Sequence, residues 1–461
     1  MSHPAAIAEQ FFLSANQLMA SGDSAGAARD FHTALTHDPD CGEAWANLGY
    51  LKEQEQDFSR AAELYRRALT LLPDNLQLQL NLGTVLLHMK QFSAAETLFR
   101  HAVASHPESA AAWSNLGVLL ACCKHERAAE QCYQRALAID VDYQKARFNL
   151  SYILLRQGRF EAGWAALESR SWQDLFSDYF SFPRWRGESL LEQRIVIVFE
   201  GGHGDMIHFC RYADTLKERG AASVSLICHP ALTALFTSMT ALDQVFSYEL
   251  EVARAAWDYW VPPASLPGCC GTQIATIPAA IPYLYAEKQK AAAWAARLGP
   301  RRLRVGLVWQ GNPWFENNAD RSIATLALLR PLLEVSGVQF VSLQKGEGEA
   351  EAQRAAGEQF VVLTELLSDF SETAALIENL DLVISVDSAV AHLAGALGKP
   401  CWLLLPDYRC DWRWMSARSD TPWYPLTRLF RQAPDSDWGT LAPQLASALR
   451  EWQAQQAAQL A

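Results

Sequence analysis

The chain contains no Cys-x-x-Cys, and none of its ten cysteines stands at a metal-ligand spacing from a histidine. A structural zinc site is therefore not expected. In a chain of 461 residues, with two neighbouring pairs (Cys122–Cys123 and Cys269–Cys270), the cysteines read as reduced thiols of a cytoplasmic protein. No apolar run reaches the roughly 18 residues of a membrane span. Positive charge is not in excess either, since Asp plus Glu outnumber Lys plus Arg by 51 to 39. Split at Gly187, the first part holds 17 basic and 21 acidic residues and the second 22 and 30, so neither carries a nucleic-acid-binding footprint. The opening Met1–Phe12 lacks a basic region followed by an apolar one, so no signal peptide is expected. What remains is half apolar and one fifth charged, a folded composition long enough for roughly three domains.

The first third repeats itself. Asn47-Leu48-Gly49, Asn81-Leu82-Gly83, Asn115-Leu116-Gly117 and Asn149-Leu150-Ser151 follow one another at steps of 34 residues. In phase with them run Ala27, Ala61, Ala95 and Ala129; Phe31, Tyr65, Phe99 and Tyr133; and Ala34, Ala68, Ala102 and Ala136. Pro39, Pro73 and Pro107 close three copies, and Val141 stands in the fourth. Small residues let the two helices of a hairpin approach, the aromatic is expected to fill the gap between neighbouring hairpins, and proline ends the second helix. A single hairpin cannot bury its apolar face, so the copies must stack. Trp45-x-x-Leu48-Gly49 and Trp113-x-x-Leu116-Gly117 resemble the tetratricopeptide repeat (TPR). A last partial copy through Phe160, Trp164 and Leu167 is expected to cap the solenoid. Such a solenoid offers a groove to a protein or peptide, or serves as a structural arm.

From Arg194 the period changes. Arg194–Phe199 and Ala222–Cys228 read as buried strands separated by a helix, and a second series follows at Arg304–Trp309, Phe340–Leu343, Phe360–Leu363, Leu382–Val386 and Cys401–Leu405. Strands alternating with helices imply parallel sheets, whose ligands bind beyond the carboxyl ends of the strands. The polar stretch Arg297–Arg302 reads as a linker between two doubly wound halves facing a cleft.

Four strand ends carry chemistry. Gly201-Gly202-His203-Gly204-Asp205 opens a helix; Asp205 is either a capping carboxylate or a general base. A nicotinamide site is not supported, because the next strand ends in Cys228-His229-Pro230 rather than an acid. Asp387-Ser388-Ala389 leads into a helix bearing His392 on the side of Ser388. The small residues suit a phosphate at the first-turn amides, and the alternative is a core histidine with an Asp cap. Gln310 in Trp309–Pro313, Arg321 and Lys345 add polar and cationic groups at the same edge. Trp412, Trp414 and Trp423 either wall a pocket or pack. The Asp-x-Asp pairs Asp38/Asp40, Asp140/Asp142 and Asp435/Asp437 lie in turns away from these strand ends, so no metal is expected.

Gly204-Asp205, Val305–Asn312, Arg321-Ser322, Ser342–Gly346 and Val386–Pro400 together resemble the heptosyltransferase-type bacterial glycosyltransferases, family 9. From about residue 10 to 450 the chain is similar to bacterial proteins that join tetratricopeptide repeats to that domain. It departs from the pattern at His203 and Met206 and shows no Lys-rich acceptor stretch. The resemblance implies an α solenoid (5–175) followed by an α/β GT-B fold of two Rossmann-like halves (190–295, acceptor side; 303–455, nucleotide-sugar side). It implies inverting transfer to an acceptor hydroxyl from a nucleotide-diphosphate sugar, ADP-heptose by default, with no metal and no cofactor. Asp205 matches the general base. Ser388, Ala389 and His392 match the diphosphate turn, and Arg321 and Lys345 fall near the phosphate cations. Gly202, Gly204, Gln310 and Asp387 complete the expected substrate contacts. The expected partners are the sugar donor and a protein or peptide held by the repeats, with no nucleic acid and no membrane span. The alternatives are an interaction scaffold with a silent GT-B domain and a UDP-sugar enzyme similar to the O-linked N-acetylglucosamine transferases.

Overall fold

The computed structural model describes residues 4–170, 179–249, 257–300, 302–434 and 437–460. Two compact units divide the chain, 1–153 and 154–461. In the first, helices Pro4–Ala20, Ser24–His37, Gly42–Gln54, Phe58–Leu71, Leu76–His88, Phe92–Ser105, Ala110–Cys122 and Glu126–Ile139 pair into hairpins. The 34-residue pattern has a direct steric cause. A Cβ at Gly49 would lie 2.8 Å from the Tyr65 ring, at Gly83 2.4 Å from Phe99, and at Gly117 2.6 Å from Tyr133. The repeated aromatic thus rests on the glycine of its own hairpin, and Tyr65 also reaches the next one, its hydroxyl accepting from Asn81 Nδ2 at 3.5 Å. Trp45 and Trp113 donate their indole N–H to the Pro39 and Pro107 carbonyls, and the Gln79 amide does the same to Pro73, so the signature tryptophan ties each helix start to the turn before it. Asp57, Asn75 and Ser109 cap their helices by accepting the backbone N–H three residues on.

The division at Ile153 and Leu154 falls inside helix Gln144–Arg156. Helix Phe160–Leu167, expected to close the solenoid, is built into the second unit. Trp164 donates to the Thr272 carbonyl at 2.9 Å and meets Trp412 edge-on at 5.3 Å, and Phe160 lies 6.1 Å from Trp423.

The second unit holds two parallel sheets. The first contains β1 (Arg194–Ile197), β2 (Ser223–Cys228), β3 (Gln244–Ser247) and β4 (Tyr259–Val261) in the order β3-β2-β1-β4. The second contains β5 (Leu303–Val308), β6 (Val338–Ser342), β7 (Phe360–Val361), β8 (Leu382–Val386), β9 (Cys401–Leu405) and β10 (Thr427–Arg431) in the order β10-β9-β8-β5-β6-β7. β3, β4 and β10 add to the strands read from sequence. β3 and β4 hold only four and three residues, and in β10 arginines interrupt the apolar pattern at the sheet edge. In each sheet the chain winds outward from its first strand and returns on that strand's other side. The crevices where ligands settle therefore lie between β1 and β4 and between β5 and β8. Among the described residues, no helix is long and apolar enough to cross a membrane.

Candidate functional site

Beyond β1 the chain passes Glu200, which is buried at 3% exposure and held by the Arg170 guanidinium and the Ala264 N–H. Gly201 then turns with a φ of 71°, a left-handed geometry that favours glycine, and helix His203–Phe209 begins with Gly202 as its N-cap. Asp205 divides its two oxygens. Oδ2 accepts the Gly202 N–H at 2.9 Å, and Oδ1 accepts from Arg413 Nη2 at 2.6 Å. The capping reading holds for Oδ2, while Oδ1 is engaged by a cation. Asp205 caps from the third helical position rather than as the N-cap itself. His203, two residues earlier, is pushed down to about 4 by burial and by the His229 ring 4.7 Å away, so it is neutral near pH 7.

At the β5–β8 crevice, Asp387 follows β8 and Ser388 forms the N-cap of helix Ala389–Ala396. The Ser388 hydroxyl bonds Ser385 rather than a helix amide, and Asp387 accepts the Trp414 indole N–H at 2.9 Å, so neither side chain caps the helix. This removes the expected Asp cap and leaves the Ala389 and Val390 amides without a capping side chain. Burial and the Asp411 carboxylate push Asp387 up to about 6, opposed by the Trp414 bond and by Arg321 and Arg413. His392 is 6% exposed and bonds the Tyr424 hydroxyl through Nδ1 at 2.9 Å; burial and Arg413 push it well below its usual value.

The two crevices meet. Helix His203–Phe209 packs on helix Ala389–Ala396, and a Cβ at Gly204 would lie 2.9 Å from His392 Cδ2 and 3.4 Å from Ala389 Cα. Gly204 therefore serves helix–helix approach, and it brings Asp205 to the start of the expected phosphate cradle. Arg321 faces the same place. Asp387, Asp411 and Asp205 are the charges acting on it, its Nε has no hydrogen-bond partner, and its guanidinium lies 4.2 Å over the Phe315 ring. Two expected contacts are used differently. Gln310 donates to the Ala324 carbonyl at 3.0 Å and so braces its own loop. The Lys345 ammonium is taken by the Thr364 carbonyl at 3.1 Å and Glu349 at 3.4 Å. Asp435 lies outside the described residues, and Asp38, Asp40, Asp140 and Asp142 belong to the helical unit.

Sequence reasoning missed Arg413, the residue that ties the site together. It grips Asp411 at 3.1 and 3.2 Å while reaching Asp205. It stands in the Trp-rich stretch, whose members Trp412, Trp414 and Trp423 are buried at 3, 1 and 1% exposure. Packing is their main role, yet Trp414 also holds Asp387. The only signal for Arg413 was its place between two tryptophans after a strand.

Comparison with known proteins agrees with the motifs. Residues 12–75 and 52–118 match tetratricopeptide repeat families, and residues 327–403 match Glycosyltransferase family 9 (heptosyltransferase). Protein FlbA of Caulobacter vibrioides is 31% identical over 343 residues, 68% of this chain and 56% of FlbA, so the chain spans little more than half of that relative. Among solved structures, MamA (41-end) from Desulfovibrio magneticus RS-1 is 20% identical, covering 38% of this chain and 97% of its own, with a TM-score of 0.32. A thermophilic TPR protein of Thermus thermophilus is 22% identical over 37% and 96%, also with a TM-score of 0.32.

Proposed function

We propose that this chain, which joins tetratricopeptide repeats to a glycosyltransferase family 9 segment, transfers a sugar with inversion from a nucleotide-diphosphate sugar to an acceptor hydroxyl. The second unit then acts as a GT-B enzyme, with its first sheet on the acceptor side and its second on the donor side. Asp205 Oδ1 accepts the hydroxyl proton as the acceptor oxygen bonds to the anomeric carbon and the bond from that carbon to the diphosphate breaks. The leaving charge spreads over the Ala389 and Val390 amides, His392 and Arg321, groups that supply positive potential without a metal. Lobes pressed together at Gly204 exclude water that would hydrolyse the donor. The repeats present a protein or peptide acceptor, and the ten free thiols suit a reducing cytoplasm. ADP-heptose is the favoured donor through the family resemblance.

One observation carries this reading: Asp205 and the uncapped helix bearing His392 share one site, joined by the Gly204 contact and by Arg413. The same carboxylate also supports a second reading, a scaffold with a silent transferase, because both of its oxygens are already engaged. Titration with ADP-, UDP- and GDP-sugars, followed by turnover of whichever binds, separates the two. Asp205→Asn keeps an acceptor for Gly202 and is expected to bind donor within about twofold while losing on the order of 10²–10⁴-fold in turnover. Unchanged turnover removes Asp205 as the base, and no binding of any nucleotide sugar favours the scaffold. Preference for a UDP-sugar places the enzyme with the O-linked N-acetylglucosamine transferase type.

A further inference from the structure

The Tyr424 hydroxyl sits between two imidazoles, 3.0 Å from His208 Nδ1 and 2.9 Å from His392 Nδ1. Its ring is held flat on the helix that carries His392, where a Cβ at Gly395 would lie 2.4 Å from Tyr424 Cδ1. A phenol has one proton to donate. At least one of its two short hydrogen bonds must therefore use a proton supplied by a histidine, and where the phenol gives its own proton to the other histidine the two neutral rings are opposite tautomers. Both rings are neutral, because burial and the neighbouring Arg211 and Arg413 cations push each well below its usual range.

The remaining nitrogens decide the direction. His208 Nε2 is buried and has no partner. A proton there would be an orphaned buried donor, a rarer and costlier state than an unused lone pair. The Trp423 ring stands 4.5 Å away, and its indole nitrogen, which can only donate, is also buried without a partner. A lone pair on His208 Nε2 adds no second N–H to that region. His208 thus keeps its proton on Nδ1 and gives it to the Tyr424 oxygen, and Tyr424 gives its own proton to His392 Nδ1. Tyr283 is the weakest of the three partners of the Tyr424 hydroxyl, at 3.5 Å against 2.9 Å for His392, so the Tyr424 proton goes to the shorter bond. The Tyr283 hydroxyl donates to the Ile207 carbonyl at 3.0 Å and receives Arg211 at 3.1 Å.

His392 then carries its proton on Nε2. That atom makes no hydrogen bond to a described residue and is not among the fully buried polar atoms. It lies 3.6 Å from the Cβ position of Gly204, at the junction of the two helices. We propose that Tyr424 and His208 are positioning residues that lock His392 as the Nε2–H tautomer, so that it presents a fixed hydrogen-bond donor to the diphosphate. The inference rests on reading helix Ala389–Ala396 as the diphosphate cradle.

The test is imidazole nitrogen NMR on the full chain with labelled histidine, with His392 assigned from the resonances missing in His392→Gln. The expected spectrum near pH 7 shows His392 protonated at Nε2 and bare at Nδ1. The reverse pattern overturns the proposal, and this result needs no Tyr424 variant to fold. In Tyr424→Phe the His392 nitrogens should move toward a tautomeric average. Binding of ADP, UDP or GDP, whichever the wild type holds best, should weaken by about tenfold. A purely structural tyrosine would lower the melting temperature and leave the nitrogen shifts in place, which also overturns the proposal. Should the wild type bind no nucleotide, the donor-site reading fails on its own, while the nitrogen spectrum still decides the tautomer.

Discussion

At the scale of single residues, the site is built from side chains that each serve two partners. Asp205 secures a helix start with one oxygen and meets Arg413 with the other. Asp387 stands at the start of the helix proposed as the diphosphate cradle, where burial and the Asp411 carboxylate disfavour its charged form. With a carboxyl raised to about 6, it is charged at pH 8 and largely neutral at pH 5. The sign follows directly: a negative charge beside an anionic ligand repels it, so donor affinity should rise as pH falls through about 6. ADP-glucose is a suitable probe because its bridged diphosphate does not titrate in this range. Calorimetric titration should show affinity climbing on the order of tenfold from about pH 8 to 5, a change worth about one pKa unit. Asp387→Asn should bind at pH 8 as the wild type does at pH 5, with a flat profile. Protonation of His392 is disfavoured by burial and by Arg413, and the Asp387→Asn profile separates the two groups.

At the scale of elements, the repeats show how one backbone need recurs. Gly22, Gln56, Lys90, Lys124 and Gly158 all have φ between 57° and 88°, at 34-residue steps, in the turn between the helices of a hairpin. Glycine fills the first and last, while the middle three carry the left-handed penalty of an L side chain. Gln56 is exposed, so Gln56→Gly should stabilise the solenoid by about 0.5–1 kcal/mol, the left-handed cost less glycine's larger unfolded entropy. Urea unfolding followed by circular dichroism checks this, and a loss of stability would show that Gln56 makes a contact worth more than its strain. Helix Ala389–Ala396 makes the complementary point. Its first-turn amides are left uncapped because Ser388 bonds Ser385 and Asp387 bonds Trp414.

At the scale of the second unit, the proposed donor site depends on two helices, one from each sheet's layer, packing closely at Gly204. Gly204→Val places a branched side chain where even a Cβ stands 2.9 Å from His392. The two helices must then separate, at a cost of about 1–3 kcal/mol. Nucleotide affinity and melting temperature should both fall, measured by titration and calorimetry. Unchanged affinity would show that the donor site does not need this contact.

The repeats, their period and seven of the ten parallel strands of the second unit were legible from the chain alone, because steric repetition and apolar runs are local signals. Asp205, Ser388 and His392 stood out as candidates for the same reason, lying in or just after the turns that follow β1 and β8. The sequence carried no sign that Arg413 reaches back across 208 residues to Asp205, or that Tyr424 joins His208 to His392. Nor could it show that Lys345 is held by Thr364 and Glu349. Which donor meets which acceptor across distant segments is decided by how helices and sheets pack, and packing is a property of the folded chain rather than of any stretch within it.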